Sequence, residues 1–283
     1  MTMLTVLEII KRSTEFLAKH GVESPRLNAE LLVGHSLGLK RMQLYLQFER
    51  PLAEAELAKV RPLVKRRSER EPLQYIVGST EFAGVTLKVD RRALIPRPET
   101  ELMVELAQEL CTPPPATILD LGTGSGALAL ALAKQFAGAK VTAVDLSRDA
   151  LALAAENAAA LGLAERVGFL ESDWFAAVPA DAKFDLIVAN PPYLSDAEVA
   201  ETAPEVRGFE PHRALSSGAT GLEALDRIIG AAKARLAPGG RLICETGIAQ
   251  HAVLLERLRA AGYSGGESRK DLTGRDRFVS AAA

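Results

Sequence analysis

Up to residue 73 the apolar positions recur at helical spacing. "TVLEIIKRSTEFLAKHG" sets Val6, Ile9, Ile10, Phe16 and Leu17 near one face, and Gly21 follows as a stop. "SPRLNAELLVGHSLG" opens with Ser24 as a cap and Pro25 at the first helical position. "RMQLYLQF" and "EAELAKVRPLVKRRSER" predict a third and a fourth helix. At residue 74 the texture changes. "EFAGVTLKVD" alternates like a strand pair bent at Gly84, and "RRALIPRPET" is a Pro-punctuated connection into the helix "ETELMVELAQEL". After the turn "CTPPPA", strands and helices alternate. "ATILDLG", "AKVTAVDLS", "RVGFLESD", "FDLIVAN" and "GRLICETG" read as strands. "GALALALAKQF", "RDALALAAENAAALGL", "GLEALDRIIGAAKARLAPGG" and "AQHAVLLERLRAAGY" read as helices. This rhythm predicts an α/β fold, a mostly parallel sheet with helices on both faces. The expected division is a helical region 1–73, a β-hairpin linker 74–98 and an α/β domain 99–283.

Composition narrows the class only a little. The chain has 283 residues, 48% hydrophobic and 25% charged, the balance of a globular protein with one large or two modest domains. Its net charge of −2 is unsuited to coating nucleic acid. Residues 1–73 carry 13 Lys/Arg against 9 Asp/Glu, a net of +4 that leaves −6 for the remainder. "KRRSER" suits a solvated helix face as well as a docking surface. Cys111 and Cys244 are far apart in apolar surroundings, so buried thiols are expected rather than a disulfide. The four histidines have no ligand spacing, and no metal is expected. The N-terminus lacks the plan of a signal peptide and no apolar run could span a bilayer, which predicts a cytoplasmic protein with no membrane partner.

The chemistry sits at the carboxyl ends of the strands, where parallel sheets bind ligands. In "LDLGTGSGAL", Gly122, Gly124 and Gly126 allow tight turns and close approach by a ligand at a helix N-terminus. Asp145 ends the second strand about 20 residues further on, where an acid grips ribose hydroxyls. Ser147 is free to cap the next helix in its place. Asp173 can accept from an adenine amino group, and Trp174 can lie against the adenine face. Up to this point NAD and S-adenosylmethionine fit equally.

The fourth strand breaks the tie. It ends in Asn190, Pro191, Pro192 and Tyr193. A planar amide or exocyclic amine is a poor nucleophile, because its lone pair is delocalised. Two fixed acceptors for its N–H hydrogens let density build on nitrogen as a methyl group approaches. Asn190 offers a side-chain oxygen, Pro191 a backbone carbonyl, the two proline rings stiffness, and Tyr193 a flat face to stack on. Hydride transfer gives no reason for this group.

These motifs resemble the class I S-adenosylmethionine-dependent methyltransferases, with their Rossmann-like domain. More closely the chain is similar to the HemK/PrmC family, the release factor glutamine methyltransferases. The similarity runs over "SPRLNAELL", "EPLQYIVG", "FAGVTLKVDRRALIPRPETE", "LDLGTGSGAL", "NPPYL", "FEPHRAL" and "KDLTGRDRF". The resemblance implies a small N-terminal helical bundle, a hairpin linker and a catalytic domain. It implies cofactor contacts at Gly122, Thr123, Gly124, Ser125, Gly126, Asp145, Trp174 and Asn190. It places the target glutamine amide against Asn190 to Tyr193, and makes the substrates peptide chain release factors, methylated in a Gly-Gly-Gln loop. Docking of the substrate protein on residues 1–73 is a further expectation. Rival readings are a ribosomal-protein glutamine methyltransferase and a DNA adenine-amino methyltransferase. The second would need a basic recognition surface that the acidic α/β half lacks. "RPET" at 97–100 either closes over the site or only starts a helix, and the stretch 194–220 is expected to be a long loop shaping the pocket.

Overall fold

The computed structural model describes residues 4–283, so the first three residues of the expected helical region lie outside it. The elements up to Gly78 are α1 (Val6–Lys19), α2 (Pro25–Leu37), α3 (Arg41–Tyr45), α4 (Glu54–Ser68) and α5 (Leu73–Val77). A hairpin of β1 (Ser79–Phe82) and β2 (Val85–Lys88) comes next, then a 3₁₀ turn Pro98–Glu101 and α6 (Leu102–Leu110). The alternating part runs β3 (Thr117–Leu121), α7 (Ala127–Gln135), β4 (Lys140–Asp145), α8 (Arg148–Ala160), β5 (Val167–Glu171) and β6 (Phe184–Ala189). After β6 come α9 (Asp196–Glu201), α10 (Pro204–Phe209), α11 (Glu223–Ala232), β7 (Leu236–Glu245), α12 (His251–Ala260), β8 (Ser264–Lys270) and β9 (Asp276–Ala282). Two compact units result. One is everything up to Gly78 together with Ala203–Phe209, and the other is Ser79–Thr202 with Glu210–Ala283. The hairpin therefore groups with the sheet unit, and α5 closes the helical one.

In the helical unit α1 starts on a capping box. Thr5 Oγ1 accepts the Glu8 N–H at 3.3 Å, and Glu8 returns an acceptor to the Thr5 N–H at 2.8 Å. Ser24 does not cap α2 with its side chain as expected. Its backbone sits at φ 46°, and its carbonyl takes both the backbone N–H and the Nδ2 of Asn28. The third helix stops after five residues because the chain must return: Leu7 and Val6 donate to the carbonyls of Phe48 and Arg50. The solvated reading of "KRRSER" fails for Arg67, whose side chain is only 7% exposed. Arg67 donates to Asn28 Oδ1 at 2.7 Å and to Glu205 Oε1 at 2.8 Å, and Arg70 donates to Glu205 Oε2 at 2.6 Å. The carboxylate of α10 is thus neutralised by two guanidinium groups of this unit. Glu30 is a fully buried carboxylate, taken by Arg26 at 2.9 Å, Arg41 at 2.6 Å and the Tyr45 hydroxyl at 3.0 Å.

In the other unit seven strands form one sheet in the order β5-β4-β3-β6-β7-β9-β8. The first five are parallel, and β9 runs antiparallel between β7 and β8. Successive residues of β3 face opposite sides: Ile118 shares a core with Leu130, Val141 and Val188, whereas Leu119 shares another with Ile187, Leu225 and Leu254. Helices cover both faces accordingly. Asn157 of α8 ties in the hairpin: its Oδ1 accepts the Lys88 N–H at 2.7 Å, and its Nδ2 donates to the Lys88 and Ser125 carbonyls. The predicted helix through "LAPGG" ends at Ala232 instead. Strand pairing wins there, with Phe184 opposite Leu236 and Leu186 opposite Arg241, so Pro238–Gly240 become an irregularity within β7. The 194–220 stretch folds locally: Ser195 and Glu198 form a capping box on α9, and α10 and a 3₁₀ turn His212–Ala214 come after it. Cys111 and Cys244 are both buried, and burial pushes their thiols up to about 11 and about 12. Among the described residues no helix is long and apolar enough to cross a membrane.

Burial alone would raise the Glu30 pKa, but the hydrogen bonds from Arg26, Arg41 and Tyr45 outweigh it and hold the group below its usual 4.5. A carboxyl held below its unfolded value stabilises the fold above that value, and the contribution disappears as pH falls through the folded pKa. Glu30→Gln is expected to cost about 1–3 kcal/mol at pH 7. In urea denaturation the gap from the wild type should close as the pH is lowered below 4.5; a gap independent of pH would contradict this account.

Candidate active site

The register of the parallel strands assembles the site. Leu121 pairs with Val144 and with Ala189, and Ala189 pairs with Cys244. The next residues along these four strands are Gly122, Asp145, Asn190 and Glu245. All four therefore arrive at one carboxyl edge, the position where parallel sheets hold ligands. A cavity of about 820 Å³ lies there. Its wall includes Gly122, Thr123, Gly124, Ser125, Asp145, Asp173, Trp174, Asn190 and Pro192 from the sequence expectations. Gly126, Pro191 and Tyr193 are not part of that wall.

Each of those three has another position. Gly126 adopts φ 84° directly before α7, and a Cβ there would lie 3.1 Å from both Ala154 Cβ and Leu130 Cδ1. Pro191 is buried. The Tyr193 ring packs with the cluster around Leu119 and Ile187, and its hydroxyl donates to Glu245 Oε1 at 3.1 Å. Burial and the neighbouring Glu245 raise the pKa of that phenol, so it stays a donor.

Asp145 holds the glycine loop in shape. Its Oδ2 accepts the Gly124 N–H and its Oδ1 the Ser147 N–H, each at 2.8 Å. Ser147 caps α8, accepting from the Ala150 N–H at 3.2 Å, so Asp145 has no capping duty. A carboxylate has about four lone-pair sites, more than these backbone donors use. Burial raises the Asp145 pKa, and the backbone donors of Ser147 and Gly124 oppose the rise. Trp174 has a left-handed backbone, φ 53°, which costs a residue with a Cβ about 1–2 kcal/mol. Ser172 braces it by donating from Oγ to the Trp174 carbonyl at 2.8 Å. The ring lies over Gly122, whose hypothetical Cβ would touch it at 3.5 Å. Asp173 is engaged at the rim by Arg227 at 2.7 Å.

Several residues of the site were not singled out in the sequence. Asp120 is 1% exposed and lines the cavity. Its Oδ2 accepts from Thr123 Oγ1 and the Ala129 N–H, while its Oδ1 has no hydrogen-bond partner. Burial pushes this carboxyl up to about 7. An acceptor orphaned against a cavity suits a cationic ligand group. Asn190 Nδ2 donates to Thr100 Oγ1 at 3.1 Å, and Thr100 Oγ1 donates to Glu245 Oε2 at 2.6 Å. "RPET" is therefore joined to the site rather than only starting α6. Arg97 of the same stretch donates to both carboxylate oxygens of Glu210, at 2.8 and 2.9 Å. The signal for Asp120 and Glu245 was present in the sequence: a lone acid in an apolar strand is rarely fully buried without a purpose.

Two family models match the chain: the PrmC N-terminal domain over residues 8–78 and the methyltransferase small domain over residues 99–206. The release factor glutamine methyltransferase of Rhodopirellula baltica is 41% identical over 99% of this chain and 96% of its own length. That of Chlorobaculum tepidum is 43% identical over 99% and 97%. Among solved structures, the hMettl16 catalytic domain in complex with MAT2A 3'UTR hairpin 6 overlays with a TM-score of 0.58 at 17% identity, covering 80% of each chain. The T. thermophilus 16S rRNA N2 G1207 methyltransferase (RsmC) overlays at 0.52 and 23% identity, covering 72% of this chain and 49% of that one. These two likenesses concern the fold alone, a Rossmann-like methyltransferase sheet.

Gly126→Ala tests the packing of the loop. The left-handed backbone and the contact with α8 together should lower stability by about 1–3 kcal/mol. Thermal unfolding should report the loss; an unchanged midpoint would mean that the loop relaxes freely.

Proposed function

This chain belongs to the release factor glutamine methyltransferase family, and we propose that it methylates the side-chain amide nitrogen of the glutamine in a release factor's Gly-Gly-Gln loop. The observation carrying this reading is the orientation of Asn190 at the cavity. Its Nδ2 is spent on Thr100, which leaves Oδ1 as the acceptor for a substrate N–H. The carbonyl of Pro191 is assigned as the second acceptor. With both N–H hydrogens accepted, density rises on the amide nitrogen as the new bond forms. Asn190, Pro191 and Tyr193 are assigned to this reacting group, with Pro192 beside the substrate chain. Tyr193 would act there through its backbone and its hydroxyl bond more than by stacking.

S-adenosylmethionine, when bound, supplies an electrophilic methyl group on a positively charged sulfur. The residues present fit such a group. Asp120 Oδ1 offers an unpartnered acceptor to an ammonium, and Asp145 offers lone pairs to ribose hydroxyls. Gly122, Thr123, Gly124 and Ser125 let a ligand lie close to the backbone, Gly126 sets the loop against α8, and Trp174 gives a flat apolar face with Asp173 at its rim. Residues 1–73 are assigned to docking of the substrate protein. A Gly-Gly-Gln segment suits entry to this cavity, because two glycines carry no side chains past the rim.

Incubation with radiolabelled cofactor discriminates this reading. Label is expected in release factor and absent when the loop Gln is changed. Label in DNA, or label surviving the Gln change, would sink it, and label in a ribosomal protein alone would favour the nearest rival. Asn190→Ala should lower kcat by about 10²–10³ while calorimetric cofactor affinity falls little. If residues 1–73 dock the substrate, KM for intact release factor should be well below KM for a peptide carrying only the loop. Equal values would remove that role.

A further inference from the structure

We propose that Thr100 and Glu245 are positioning residues that fix which end of the Asn190 amide faces the cavity; the proposal rests on the reading of Asn190 given above. A carboxamide has nearly the same shape when turned by half a revolution, yet the turn exchanges an acceptor for a donor. A donor facing the two N–H hydrogens of a substrate amide would oppose the reaction. Something in the fold must therefore specify the orientation.

A threonine hydroxyl has one hydrogen to give. That of Thr100 goes to Glu245 Oε2 at 2.6 Å. Only its lone pairs remain for Asn190, which must answer with its NH2 end, at 3.1 Å. Glu245 keeps the direction of this chain. Its other oxygen is occupied by the Tyr193 hydroxyl at 3.1 Å, so two hydroxyls from different parts of the chain converge on one carboxyl. Thr100 is 3% exposed and Glu245 1%, which leaves little room for water to replace either bond. The far end of the Asn-Pro-Pro-Tyr turn is pinned separately. Gln250 Nε2 donates to the Tyr193 carbonyl at 2.9 Å and to the Gly221 carbonyl at 3.0 Å, while the Gly247 N–H holds the Gln250 Oε1 at 2.9 Å. Gly221 has to lack a side chain, since a Cβ would come within 2.6 Å of the Tyr193 carbonyl. The turn is thus anchored through its backbone at one end, and its amide is given a direction at the other.

Thr100→Val keeps the shape and removes the hydroxyl. Measured with release factor as substrate, it should lower kcat tenfold or more, with KM and calorimetric cofactor affinity within threefold of the wild type. Thr100→Ser, which restores the hydroxyl, should recover kcat to within threefold. In single turnover, Thr100→Val added to Asn190→Ala should cause no further loss, because Thr100 acts only through Asn190. Thr100→Ala removes the same hydroxyl with less bulk and reads the same quantities if the valine variant is unstable. A kcat within threefold of the wild type in the folded variant, or losses that multiply in the double variant, overturns the proposal. Failure of the underlying glutamine reading would look different: the wild-type protein itself would leave the loop Gln unlabelled.

Discussion

A parallel sheet delivers the ends of its strands to a common edge, and the hydrogen-bond ladder stops there. Backbone groups and side chains just past it must find other partners. In this protein Leu121, Val144, Ala189 and Cys244 pair in one row across four strands, and next in line stand a glycine, an aspartate, an asparagine and a glutamate. The site is a direct consequence of register. A slip of one residue in any strand would turn its functional side chain into a hydrophobic layer and bring a core residue to the cavity.

Charges and backbone bonds stiffen the surroundings of this edge. Asp145 accepts from the backbone of the glycine loop and of the turn after β4, and Asn157 fixes the Ser125 carbonyl while holding the hairpin. Trp174 is kept in a strained conformation by its neighbour Ser172. Arg97 and Glu210 join two stretches far apart in the chain beside the same cavity. Such features are costly in a merely structural turn and are understandable in a site that must keep its shape when empty.

The βαβ rhythm, the glycine loop and the Asn-Pro-Pro-Tyr turn were legible in the sequence because each depends on local chemistry: periodicity, backbone freedom and missing N–H groups. The β8–β9 pair was not anticipated. The strand Ser264–Lys270 is almost wholly exposed and polar, so it carries no alternating apolar signal, and its partner joins the sheet only through tertiary pairing with β7. The strand through "LAPGG" was hidden because Pro and Gly suggest an ending, whereas here a bulge absorbs them. Asp120 and Glu245 were passed over although each is a lone acid in an apolar strand, and Thr100 was raised only as part of "RPET". The bonds of Thr100 to Asn190 and Glu245 cross 90 and 145 positions of sequence, and such pairings have no local signature.

The chain does not visit its two units in simple succession. It leaves the helical unit after Gly78, returns to it for Ala203–Phe209, and leaves again at Glu210. There Glu205 meets Arg67 and Arg70, its two cationic partners. No single cut can therefore separate the halves cleanly. A fragment starting at Ser79 would retain α10 as a displaced segment, its carboxylate stripped of both counterions, while the complementary fragment would keep two guanidinium groups without that carboxylate. Dissection into independently expressed pieces is for this protein a perturbation of both pieces at once.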